Sequence, residues 1–98
     1  MAPAELEELL LTHPSVVDAA VIGVENEEAG QLPKAFVVRN DEVTEDDIIK
    51  FVAENAASHK KLRGGVEFVK EIPKTPSGKI LRGVLAEKNK QKNNNINF

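Results

Sequence analysis

Lys79 is the residue whose type and position are hardest to explain by folding alone. It lies in Pro73-Lys74-Thr75-Pro76-Ser77-Gly78-Lys79-Ile80-Leu81-Arg82, where a short apolar strand gives way to a Pro/Gly turn and then to a helix. Pro presets φ at the second position of a type I turn and Gly suits the fourth, so Thr75 to Gly78 reads as that turn. Lys79 then falls at or just before the first helical turn, where a cation opposes the helix dipole. A lysine, free backbone N–H groups and a helix N-terminus would together attract a phosphate or carboxylate. The nucleotide-binding loop G-x-x-x-x-G-K-[ST] does not account for the stretch, because position 73 is Pro73 and Ile80 follows the lysine in place of a hydroxyl.

Composition narrows what else the chain can do. At 98 residues it is one small domain, able to bury roughly two-thirds of its unfolded surface without metal or disulfide support. It has no cysteine, which excludes disulfide scaffolds, thiol catalysis and cysteine-bound zinc. His13 and His59 stand far apart with no ligand pattern around them, so no metal site is expected. No apolar run approaches the roughly 20 residues that span a bilayer, and the expectation is a soluble intracellular domain with no membrane insertion. Charge is unevenly divided: Met1–Ile49 has 2 Lys/Arg against 12 Asp/Glu, and Lys50–Phe98 has 11 against 4. The second half therefore faces anions, while the acidic first half and the absence of Tyr and Trp argue against nucleic acid.

The elements that must position Lys79 follow from periodicity. Leu6, Leu9 and Leu10 form a helical stripe that His13-Pro14 stops. Val16–Val24 reads as a buried strand, Glu25–Leu32 as an acidic loop, and Lys34–Arg39 as a second strand. Thr44 caps a helix to about Ala57 whose apolar face is Ile48, Phe51, Val52 and Ala56. A basic connection from His59 to Gly65 leads to a third strand, Val66–Ile72, with Val66 and Phe68 facing one way and Glu67 and Val69 the other. Leu81, Val84 and Leu85 stripe a last helix ending near Lys88. The predicted fold is α+β: two layers, a three-stranded sheet and about three helices over residues 1–88, with a floppy Asn/Lys tail over 89–98.

Spacing alone yields no nucleophile–base pair and no carboxylate pair. Four ordered segments, however, resemble one family: Pro3-Ala4-Glu5-Leu6-Glu7 with His13-Pro14 and Val17-Asp18-Ala19-Ala20-Val21; Gly30-Gln31-Leu32-Pro33-Lys34-Ala35-Phe36-Val37-Val38; Lys60-Lys61-Leu62-Arg63-Gly64-Gly65-Val66; and Ile72 to Arg82. Together they look like the C-terminal lid domain of the acyl-adenylate-forming synthetases. The Lys-Leu-Arg-Gly-Gly-Val run is most similar to beetle luciferases and luciferase-like acyl-CoA ligases, whereas Thr75 to Arg82 looks more like plain acyl-CoA or coumarate-type ligases.

The resemblance implies a mobile domain of an ATP-dependent acyl-CoA synthetase. Its partners would be a carboxylic acid, ATP, coenzyme A and its own N-terminal domain, which would hold ATP and Mg and is not in this chain. Lys79 falls on the family's catalytic lysine, with Gly78 beside it at the acyl-adenylate. Arg82 matches an arginine that would contact coenzyme A, and Lys60, Lys61 and Arg63 would line the same anionic path. The isolated domain is expected to be monomeric and inactive. A light-emitting luciferin monooxygenase and a freestanding binding module are the alternatives. Peroxisomal import occurs in the family, but the chain ends Ile96-Asn97-Phe98 and carries no terminal Ser-Lys-Leu.

Overall fold

In the computed structural model, which describes residues 3–28, 30–55 and 62–96, the order is α1 (Pro3–Leu11), β1 (Val16–Asn26), β2 (Gly30–Arg39), α2 (Glu45–Asn55), β3 (Val66–Phe68) and α3 (Arg82–Ile96). The strands form one mixed sheet in the order β1-β2-β3. β1 and β2 are antiparallel, Val21 opposite Ala35, and β3 runs parallel to β2, Val66 opposite Ala35. The α+β class with three strands and three helices is as the sequence predicts.

Both faces of the sheet are covered, where the sequence predicts two layers. On one face Ala19, Val21, Ala35 and Val37 pack against Leu6 and Leu10 of α1 and Ile48 and Val52 of α2. On the other, Ala20, Ile22 and Phe36 meet Ile72 and Leu85, with Ile80 partly buried beside them. The apolar character of β1 on both faces is the sequence trace of this arrangement.

One break in alternation matters for the site. Val16 and Ala19 belong to the same core although three positions apart, an odd spacing that a regular strand would send to opposite faces. A β-bulge between Val16 and Asp18 absorbs the extra residue, leaving Val17 exposed. The bulge thereby turns Asp18 to the face on which Ile80 and α3 lie.

Helix ends follow local chemistry. The last turn of α1 tightens into Thr12 N–H to Leu9 O and His13 N–H to Leu10 O, each 3.0 Å, and Pro14 cannot continue it. Thr44 caps α2: Asp47 N–H donates to Thr44 Oγ1 and Thr44 N–H to Asp47 Oδ2, both 3.1 Å. The Thr44 backbone N–H, then its hydroxyl, holds the Asp47 carboxyl below its ordinary value. Ala56, and the predicted extension of α2 to Ala57, lie outside the described residues.

Several boundaries differ from expectation. The acidic loop predicted over Glu25–Leu32 is largely strand, paired Glu25 to Gln31 and Asn26 to Gly30, so only residues 27–29 intervene. Its polar side chains hide the strand signal, because β-propensity chiefly measures burial. β3 stops at Phe68 rather than Ile72: Val69 N–H still reaches Val37 O at 2.9 Å, after which the chain crosses to bury Ile72 in the opposite core. Helix α3 runs past Lys88 to Ile96. Asn89, where a tail was expected to begin, is buried and accepts from Lys34 Nζ at 2.6 Å. Of the predicted α3 stripe only Leu85 is buried, and Leu81 and Val84 are exposed.

Gly64 marks a tight approach. Its N–H donates to Pro33 O at 2.8 Å, and a Cβ there would stand 2.7 Å from that oxygen and 2.9 Å from Val24 Cγ2. Gly64→Ala is expected to destabilise the domain by about 1–3 kcal/mol through overpacking, read as a lower urea midpoint with unchanged m-value.

Candidate functional site

The Lys79 segment is a small β-hairpin. Gly78 N–H donates to Thr75 O at 2.9 Å and closes the turn, Thr75 N–H donates to Lys79 O at 2.9 Å, and Leu81 N–H to Pro73 O at 2.9 Å, around a Lys74–Ile80 bridge. Among the described residues none other than glycine has positive φ, which rules out a type II turn at Ser77, while Gly78 has φ 92°. This is a type I turn followed by a left-handed glycine, a common three-residue hairpin loop. Gly78 is therefore required by backbone conformation, and its N–H is committed to the turn.

The N–H groups of Gly78 and Lys79 are not free to bind a ligand. Lys79 N–H donates to Thr75 Oγ1 at 3.1 Å, so the threonine hydroxyl locks the loop from within. α3 begins at Arg82, not at Lys79. The site thus narrows to the Lys79 ammonium, which is exposed and, among the described residues, has no ion-pair partner. Such a group can stabilise negative charge developing on a ligand brought to it, but the hairpin cannot cradle a nucleotide by itself.

What holds the hairpin is an ion pair on each side of the turn. Lys74 Nζ meets Asp18 Oδ2, and Asp18 Oδ1 accepts Ala19 N–H at 2.9 Å. Arg82 meets Glu7 Oε1, and Glu7 Oε2 accepts Val21 N–H at 2.7 Å. The Glu7 side chain is 8% exposed against 37% for Arg82. Ile80, between the two pairs in sequence, packs into the core beneath. Arg82, predicted to reach coenzyme A, thus has an internal partner.

Sequence reasoning missed Glu7 and Asp18. The signal for Glu7 is a carboxylate three residues before Leu10, inside an apolar helical stripe; that for Asp18 is the one charge in the otherwise apolar run Val16–Val24. Of the predicted basic path, Arg63 is exposed and takes no part in the hairpin's ion pairs, and Lys60 and Lys61 lie outside the described residues. Among the described residues no cluster of His, Asp and Glu could hold a metal ion.

The family model for the AMP-binding enzyme C-terminal domain matches residues 5–79. The chain belongs to that family. It is 56% identical over 90 residues to 4-coumarate–CoA ligase-like 1 of Arabidopsis thaliana, covering 90% of this chain and 16% of that protein. It is 55% identical over 82 residues to 4-coumarate–CoA ligase of Pinus taeda, covering 84% and 15%. Its fold superposes on a fatty acyl CoA synthetase of Mycobacterium tuberculosis with a TM-score of 0.81 at 38% identity, over 88% of this chain and 17% of that one. The chain thus spans about a sixth of the length of these relatives. No helix among the described residues is long and apolar enough to cross a membrane.

Proposed function

We propose that this chain is the mobile C-terminal domain of an ATP-dependent acid–CoA ligase, and that it delivers Lys79 to an acyl-adenylation site on a larger N-terminal domain. The observation that carries the reading is an exposed lysine, with no ion-pair partner among the described residues, at the tip of a hairpin that is internally bonded and anchored at its base. The names of the relatives, 4-coumarate–CoA ligases, favour a ligase over light emission and point to an aromatic acid as substrate, and the fatty acyl CoA synthetase of similar fold adds a fatty acid as the second candidate.

In adenylation a carboxylate oxygen bonds to the α-phosphorus of ATP, the bond to the bridging oxygen of the β-phosphate breaks, and pyrophosphate leaves. Negative charge gathers around the α-phosphate as the new bond forms. An ammonium held there lowers the barrier because it interacts more strongly with the transition state than with the ground state. Lys79 transfers no proton in this scheme. Gly78 adds the turn, and the open space beside its Cα leaves the approach to the tip clear. Because the hairpin is bonded internally and tied to the rest of the domain by two ion pairs, a rotation of the domain would bring the lysine in for adenylation and remove it for transfer of the acyl group to the coenzyme A thiol. Mg and the nucleotide would be held by the larger domain. Arg82 and Arg63 remain candidates for the coenzyme A phosphates, Arg82 only through donors not engaged by Glu7.

The full-length protein is expected to release pyrophosphate from ATP only when a cognate acid is added, and to form a thioester when coenzyme A follows. A panel of cinnamic and fatty acids checks this; no acid-dependent pyrophosphate release across the panel would overturn the reading.

A further inference from the structure

We propose that Glu7 is a positioning residue for Lys79, acting from the first helix through Arg82. The inference rests on Lys79 serving adenylation. Glu7 is buried at the junction of three elements: it lies on α1, accepts the Val21 N–H of edge strand β1, and pairs with Arg82, the first residue of α3. Arg82 follows directly on the return strand of the hairpin, whose Leu81 N–H is bonded to Pro73 O. The orientation of the hairpin base relative to the sheet is therefore set by a carboxylate 75 positions away from Arg82 in sequence.

Fold stability alone does not require this arrangement. The Val21 N–H needs an acceptor, which a neutral amide would supply equally well. Burying a full charge is costly unless its partner is well placed, and the partner here is the guanidinium at the hairpin base. The charge on Glu7 is thus spent on Arg82. The Lys74–Asp18 pair holds the outgoing strand in the same way, so the turn is fixed on both sides while its tip stays free. A shift of about 1 Å at a reacting group can cost on the order of 100-fold in rate, which gives such an anchor a catalytic consequence.

Glu7→Gln in the full-length protein is the test, because Gln keeps an acceptor for Val21 and loses only the charge facing Arg82. Pyrophosphate release is expected to fall about 10- to 100-fold in kcat, with the KM for acid and ATP changed less than about twofold, and thioester formation from preformed acyl-adenylate close to wild type. In a Lys79→Ala background Glu7→Gln should cause no further loss, since there is no lysine left to position. Equal losses in both half-reactions, or the same fold-loss with and without Lys79, would make Glu7 structural only and overturn the proposal; so would no loss at all. If Glu7→Gln fails to fold, Arg82→Gln at the more exposed end of the pair serves instead, read in adenylation alone because the guanidinium is also a candidate contact for coenzyme A. Lys79→Ala with undiminished adenylation would mean that the underlying assignment of Lys79 had failed; Lys79→Ala impaired while Glu7→Gln and Arg82→Gln are not would mean that only the positioning role had.

Discussion

Lys79→Ala in the full-length protein is expected to lower acid-dependent pyrophosphate release by roughly 100- to 1,000-fold, the usual cost of deleting one preorganised electrostatic group at a developing charge. That corresponds to about 2.7–4 kcal/mol of transition-state stabilisation. The loss should appear in kcat more than in KM, because the ammonium gains most of its interaction as the carboxylate bonds to phosphorus. Stability should be nearly unchanged: the side chain is exposed, and Thr75 Oγ1 bonds the Lys79 backbone, not its ammonium. Folding and the proposed catalytic role are therefore expected to separate at this residue.

The largest effect on stability is expected at Phe36. It lies at the middle of β2, the central strand, 2% exposed, and fills the core shared by Ala20, Ile22, Ile72 and Leu85. Lys34 Nζ stands 5.1 Å from its ring centroid, an added attraction between cation and ring face. Phe36→Ala is expected to cost about 3–5 kcal/mol, a large part of the roughly 5–15 kcal/mol that holds a domain folded. Urea unfolding followed by circular dichroism measures it, since the chain has no Trp or Tyr to report by fluorescence. Because Ile80 packs on this cluster, the cavity would open under the foot of the Lys79 hairpin, and the variant should also loosen the loop.

Much of this was legible in the sequence, and the reasons for the misses are physical. Strong periodicity placed α1 and the first turns of α2, and β-branched runs placed β1, the second half of β2 and the start of β3; the stripe read for α3 was weaker, since only Leu85 of its three residues is buried. The turn at Thr75 to Gly78 was readable because Pro fixes φ near −65° and Gly, unlike other residues, takes the positive φ that closes the loop without strain. The polar end of the β1–β2 hairpin was not, since pairing there depends on the partner strand rather than on side-chain alternation. The length of α3 was hidden because Asn89 looks like tail composition and becomes an inward residue only through Lys34, 55 positions away. The site divides in the same way. Lys79 could be singled out from local chemistry, but the ion pairs that hold its hairpin join residues 56 and 75 positions apart, and no local pattern encodes such pairings. The bulge that aims Asp18 was equally silent, because one extra residue in a strand leaves no composition signal.

The most direct measurement of the central claim is single-turnover thioester formation from preformed acyl-adenylate by Lys79→Ala in the full-length protein. If the hairpin carries Lys79 into adenylation and out again before acyl transfer, this rate stays near wild type while pyrophosphate release collapses. Equal losses in the two half-reactions, or an undiminished first one, would contradict it.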